Sequence, residues 1–134
     1  MSMLSLDKLY SLAKTGESAE LIAHLEELEA TYPNDSDLMN WALISAAQGN
    51  RTDLAKTLLD RGACIEGASQ RPWIRPLWKA AKLGHVAMVK FLVENGANVA
   101  ATDDAGMTAI DYARRYSRRE VLAFLEALSP SNAP

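Results

Sequence analysis

Apolar residues along this chain recur at helical spacing, and the helical stretches themselves recur. Leu77, Ala80 and Ala81 stand at i, i+3, i+4, and Met88, Phe91 and Leu92 repeat that spacing a few residues on, which marks one face of each of two short helices. Gly84 lies between them and Gly96 follows the second, where a helix ends on a left-handed residue that glycine adopts without steric cost. Residues 97–106 then carry Asn98, Asp103, Asp104 and Gly106, which is turn chemistry. Thr108 opens the next helix as an N-cap, with Asp111 in capping-box position.

The same landmarks recur along most of the sequence. Ala13, Ala46, Ala80 and Ala113 are 33, 34 and 33 residues apart. Eight residues after each come Leu21, Leu54, Met88 and Val121, and four further on Leu25, Leu58, Leu92 and Leu125. Gly62-Ala63 and Gly96-Ala97 share the 34-residue offset. Self-similarity at this period is the signature of stacked supersecondary units. It predicts an all-α solenoid of about four helix–turn–helix units in a single domain over 1–128. The units fall near 6–35, 36–70, 71–103 and 104–128, the outer two acting as caps, with 129–134 a flexible tail.

Composition narrows the class. The 134 residues are 49% hydrophobic and 23% charged, which argues for a packed globular chain and against disorder. A net charge of −3 gives no global reason to expect nucleic acid. Cys64 is the lone cysteine, so an internal disulfide is excluded and a reducing compartment fits. No apolar run reaches the ~18 residues of a membrane span, and residues 1–14 have no signal-peptide core. The expected address is cytoplasmic, with no membrane association.

Pro76-Leu77-Trp78-Lys79-Ala80-Ala81-Lys82-Leu83-Gly84-His85 and Val89-Lys90-Phe91-Leu92-Val93-Glu94-Asn95-Gly96-Ala97-Asn98-Val99 resemble the ankyrin-repeat consensus almost position by position. The spacing Asp103-x-x-Gly106-x-Thr108 resembles that family's turn into the next unit. The resemblance is specific over 75–125, fair over 41–67 and weak over 6–33, where no Gly-Ala pair appears. It implies helix–turn–helix units joined by projecting β-turn fingers, with protein partners on the concave face. A tetratricopeptide array shares the period but would need longer helices and shorter connections than these. Departures are concentrated at the helix starts. The family's usual Thr is Lys8, Trp41 and Arg75 in the first three units, and its usual His is Trp78 in the third. The connection 66–74 is one residue long for the register and carries Trp73 where Gly is expected, so that finger should have an unusual shape. Glu26-Glu27-Leu28-Glu29 supplies the polar outer face that a capping unit needs.

Catalytic chemistry finds no footing. His24 and His85 come from opposite ends of the array, and His85 sits where the family carries a structural histidine. No His/Cys cluster has zinc spacing, Cys64 has no neighbouring base in sequence, and the seven glycines are dispersed rather than gathered in a phosphate loop. Asp103-Asp104 reads as turn chemistry. A non-enzymatic protein without cofactor or metal is expected.

What remains is surface design. Residues flanking the finger tip and in the last turn of each first helix are not needed for stacking. They are Gln48 in the second unit; Arg71, Trp73, Ile74, Lys82 and Leu83 in the third; and Asp104, Met107, Arg115 and Tyr116 in the fourth. Apart from Gln48, these form the expected partner-binding set. Trp73, Ile74, Leu83, Met107 and Tyr116 would make an apolar and aromatic cluster of the kind that anchors interfaces. The alternative is that Trp73 folds into its own finger against Trp78. Residues 1–70 hold 5 basic and 11 acidic side chains, and 71–134 hold 9 and 6. That asymmetry suits a protein partner with an acidic surface, or a basic outer face that keeps the end units soluble; nucleic acid fits the total charge poorly. The expected function is a monomeric protein-interaction module acting as an inhibitor or regulator. The alternatives are a bacterial immunity-type, effector-neutralising protein and a self-associating scaffold subunit.

Overall fold

The computed structural model describes residues 3–33, 37–67 and 74–128. Among these residues the chain is all-helical, with eight helices in four successive pairs. In order they are α1 (Met3–Thr15), α2 (Ser18–Thr31), α3 (Leu38–Gln48), α4 (Thr52–Asp60), α5 (Pro76–Leu83), α6 (Val86–Glu94), α7 (Ala109–Arg115) and α8 (Arg119–Ala127).

The repeated landmarks are the core. Ala13, Ala46, Ala80 and Ala113 are each fully buried, and their small side chains let one first helix approach the next. α1 packs on α3, α3 on α5 and α5 on α7, while the second helices touch one another less closely. The first helices are thus the more closely packed row of the stack. Leu21, Leu54, Met88 and Val121, with Leu25, Leu58, Leu92 and Leu125, bring the second helices onto the same continuous core. Such a solenoid has no single centre, and each unit buries its stripe against its neighbours.

Polar staples accompany the apolar stack. Arg51, His85 and Arg118 lie 34 and 33 residues apart, at the start of the second helix in three successive units. Each reaches back to the end of the preceding unit's first helix. Arg51 donates to the Leu12 and Ala13 carbonyls at 2.8 and 3.2 Å. His85 Nε2 donates to the Gln48 carbonyl at 2.9 Å, and Arg118 Nε to that of Lys82 at 2.8 Å. Apart from that of Leu12, which also accepts from the Gly16 N–H, these carbonyls are among those that a helix end leaves without an intrahelical partner. The residue just before each staple is left-handed: Asn50 at φ 57°, Gly84 at 78° and Ser117 at 58°. That conformation closes the first helix and turns the chain into the second.

The connection from α6 to α7 is a β-turn finger. Asp103 N donates to the Met107 carbonyl at 3.0 Å and Gly106 N to that of Asp103 at 2.9 Å. Asp103 Oδ1 accepts from the backbone N–H groups of Ala105 and Met107, both at 2.9 Å. α7 then starts on the expected capping box, with Thr108 and Asp111 each accepting from the other's backbone N–H.

Candidate functional site: a groove along the first helices

Side chains on one face of α1, α3, α5 and α7 line two depressions that run into each other. The first, of about 310 Å³, is bounded by Ile74, Arg75, Trp78, Lys79, Lys82 and Tyr112. The second, of about 410 Å³, shares Ile74 and Lys79 and continues to Gln48, Ile44 and Trp41 of α3 and to Tyr10 and Asp7 of α1. Together they make one groove across all four units. Trp41, Ile44 and Gln48 of α3, and the N-cap Arg75 with Trp78, Lys79 and Lys82 of α5, follow i, i+3, i+4, i+7 spacing, the comb that puts side chains on one helix face.

Aromatic rings form the floor. Trp78 and Tyr112 are tilted together at 6.1 Å between centroids, and Tyr10 meets Trp41 edge-on at 6.3 Å. Cations stand over them. The Arg75 guanidinium lies 5.3 Å from the Trp78 centroid and the Lys82 ammonium 5.2 Å from that of Tyr116, within reach of cation–π attraction. Arg75 also pairs with Glu66 at 2.8 Å. The Tyr112 hydroxyl donates to Asp103 Oδ2, so the floor is tied to the finger. Burial and the Asp103 bond push the Tyr112 phenol up to about 12. The hydrogen bonds from Tyr112 and the Met107 N–H hold the Asp103 carboxyl below its usual range.

Several of the residues expected at an interface meet here. Ile74 and Lys82 line the groove. Tyr116, 39% exposed, extends it through Lys82, and Arg115 Nη1 lies 3.8 Å from Met107 Sδ at its edge. Leu83 and Asp104 are exposed but line neither depression. Arg71 and Trp73 fall outside the described residues, as does most of the finger 66–74. Sequence reasoning passed over Tyr10, Trp41, Ile44, Trp78, Lys79 and Tyr112. For all but Tyr10 the signal was the i, i+3, i+4, i+7 comb at the repeat period.

Comparisons with known proteins agree with this architecture. Residues 77–126 match the family described as ankyrin repeats (many copies). The chain is 42% identical over 72 residues to human ankyrin repeat and KH domain-containing protein 1. It is 39% identical over 84 residues to the E3 ubiquitin-protein ligase XBAT33 of Arabidopsis thaliana, and 26% over 93 residues to the Caenorhabditis elegans ankyrin repeat and KH domain-containing protein mask-1. These stretches cover 53%, 62% and 69% of this chain but span 3%, 16% and 4% of the relatives. Together with the repeat fold, these matches show that residues 77–126 are similar to ankyrin repeats. Ankyrin repeats are interaction modules that bind other proteins, and a fold of this kind takes its partner from its surface residues. Among the described residues no helix is long and apolar enough to cross a membrane.

Proposed function

We propose that the array binds a partner protein in the groove along the first helices and on the adjoining fingers, and acts as an inhibitor or regulator by occupying that partner's surface. The observation that carries this reading is the pair of adjoining depressions with Tyr10 and Trp41 in one and Trp78 and Tyr112 in the other. A groove of rigid rings beside cationic side chains has the composition in which interface hot spots concentrate. The contact set comprises Ile74, Lys82, Leu83, Asp104, Met107, Arg115 and Tyr116, with Arg71 and Trp73 from the preceding finger. Lys82 on one depression, with the exposed Arg115 beyond it, favours a partner with an acidic surface. The same proposal treats residues 1–128 as one monomeric domain; the unbroken core from Leu9 to Leu125 supports it. The free Cys64 thiol suits a reducing cytoplasm.

The test is affinity capture from the source cells with wild type and a Lys82→Ala/Tyr116→Ala variant. Both side chains are at the surface, so circular dichroism should show an unchanged fold. A partner held by the wild type and weakened at least about tenfold by the variant, roughly 1.4 kcal/mol, is expected. Equal capture by both would remove the groove from the interface.

A further inference from the structure

The groove has different charge at its two ends. At the α5–α7 end the wall is basic. Arg75 Nε and Trp78 Nε1 are buried without an acceptor, and Trp78 as a whole is only 4% exposed. The nearby acceptors are engaged. Glu66 takes Arg75 and the Asn98 N–H, and Asp103 takes Tyr112, Ala105 and Met107. Lys79 and Lys82 add positive charge along the wall, and Arg115 stands beyond them against Met107. A carboxylate is the acceptor that meets this charge.

At the α1 end the sign reverses. The exposed Asp7 carboxylate borders the depression beside Tyr10. Between the ends lie Ile44, Ile74 and Trp41, and Ile74 is common to both depressions together with Lys79. Neighbouring helices in such a stack are about 8–10 Å apart, so the path from α1 to α7 is on the order of 25–30 Å. An extended chain covers that with about eight residues.

Building on the interaction role above, we propose that the groove is directional: it binds an extended segment of a partner protein, with an acidic side chain at the α5–α7 end, a large apolar side chain over Ile74 and a basic side chain at the Asp7 end. The order of charges along the segment fixes the direction in which its backbone runs. An extended segment fits better than a flat acidic surface because the apolar centre lies between the two charged ends and is reached only by a side chain that enters the groove.

The experiment is selection of random dodecapeptides displayed against the full chain, run in parallel on wild type and on the charge-exchanged variant Asp7→Lys/Lys82→Glu. Selected wild-type binders should carry an acid and a base on opposite sides of a large apolar residue, several positions apart and in one constant order. The variant should select the opposite order and should bind the wild-type peptides at least about tenfold more weakly. Binders that are lost with Lys82→Ala/Tyr116→Ala but show no constant charge order would overturn the directional inference and leave the interaction role in place. Binders indifferent to both variants, or an absence of binders, would overturn the directional inference and count against the groove as the contact surface. Displacement of the peptides by oligothymidylate at physiological salt would show that the basic end takes phosphate, which also overturns it.

Discussion

Helices α5 and α7 begin at the same place in consecutive units, yet they are closed in different ways. α7 caps itself: Asp111 N donates to Thr108 Oγ1 at 3.3 Å and Thr108 N to Asp111 Oδ2 at 2.9 Å. In α5 the equivalent positions are Arg75 and Trp78, and no side chain caps the helix. Pro76 at the first turn removes one backbone N–H that would otherwise need a partner. Arg75 turns away to Glu66 and over the Trp78 ring. The residues that satisfy a helix end locally in the fourth unit are exchanged in the third for residues that build a groove wall. Their remaining polar groups are left short of partners, as the unmatched donors of Arg75 and Trp78 show. A groove wall has been made from capping positions.

The largest effect should separate the two units by burial. Leu77 is 2% exposed, whereas Ile110 at the equivalent position is only partly buried. Leu77→Ala should cost about 2–5 kcal/mol, as large-to-small core changes do, and Ile110→Ala distinctly less. Urea unfolding followed by circular dichroism measures both. An Ile110 variant as damaging as the Leu77 variant would show that the last unit is not the looser one.

The left-handed turn before each staple supplies the next contrast. Gly84 carries φ 78°, and a Cβ there would stand 2.8 Å from Arg118 Cδ. Gly84→Ala should cost about 1–2 kcal/mol in backbone strain, with loss of the Arg118 bond to Lys82 adding to it. Ser117, at φ 58° in the fourth unit, already bears that strain, so Ser117→Gly should raise stability by up to about 1 kcal/mol. Opposite signs at equivalent positions are the expected result. A destabilised Ser117→Gly variant would mean that the Ser117 side chain contributes more than its backbone costs.

Much of this architecture was legible because repetition multiplies weak signals. One alanine says little, but Ala13, Ala46, Ala80 and Ala113 at one period require a common environment, and all four are buried. The left-handed positions that precede the staples were only partly visible, since glycine marks one and Asn50 and Ser117 occupy the others. The site was harder. Trp78 reads as core from its spacing and is nearly buried, yet it also forms a groove floor; one residue does both, and periodicity reports only the first. Charge counting treats Arg75 and Arg118 as free cations, while the fold commits one to Glu66 and the other to the Lys82 carbonyl. Sequence lists charges and rings, and only the fold reveals which of them are already engaged.

Removing the cap of the fourth unit tests the comparison directly. Thr108→Ala should cost about 1 kcal/mol, the usual value for losing such a cap. Arg75→Ala, whose loss leaves no uncapped N–H behind, should remain within the range of a surface ion pair, about 0–1 kcal/mol. Denaturant midpoints for the two variants decide it. If Arg75→Ala proves the costlier, the third unit depends on its groove wall for folding as much as the fourth depends on its cap.

The smallest effect is a dependence on pH that belongs to the fourth unit, because Tyr112 has Lys79 in its register position in the third. Folding raises the Tyr112 phenol from 10.0 to about 12, chiefly through burial and then through the bond to Asp103. A group whose folded value is raised contributes stability that is complete below its unfolded value and is lost as the pH rises through the folded one. The alkaline contribution should therefore fade between pH 10.0 and about 12. Asp103 is lowered from 3.8, first by Tyr112 and then by the Met107 N–H. Its contribution is present above pH 3.8 and disappears as the pH falls below that value. Tyr112→Phe removes the ionisable group at one end and the largest cause of the shift at the other. Urea midpoints across the acid and alkaline ranges should show both slopes flattened relative to wild type, with the variant's loss greatest near neutral pH. Parallel profiles for the two proteins would mean that the hydroxyl's tie to the finger contributes nothing to folding, and that the fourth unit, like the third, holds its groove floor by ring packing alone.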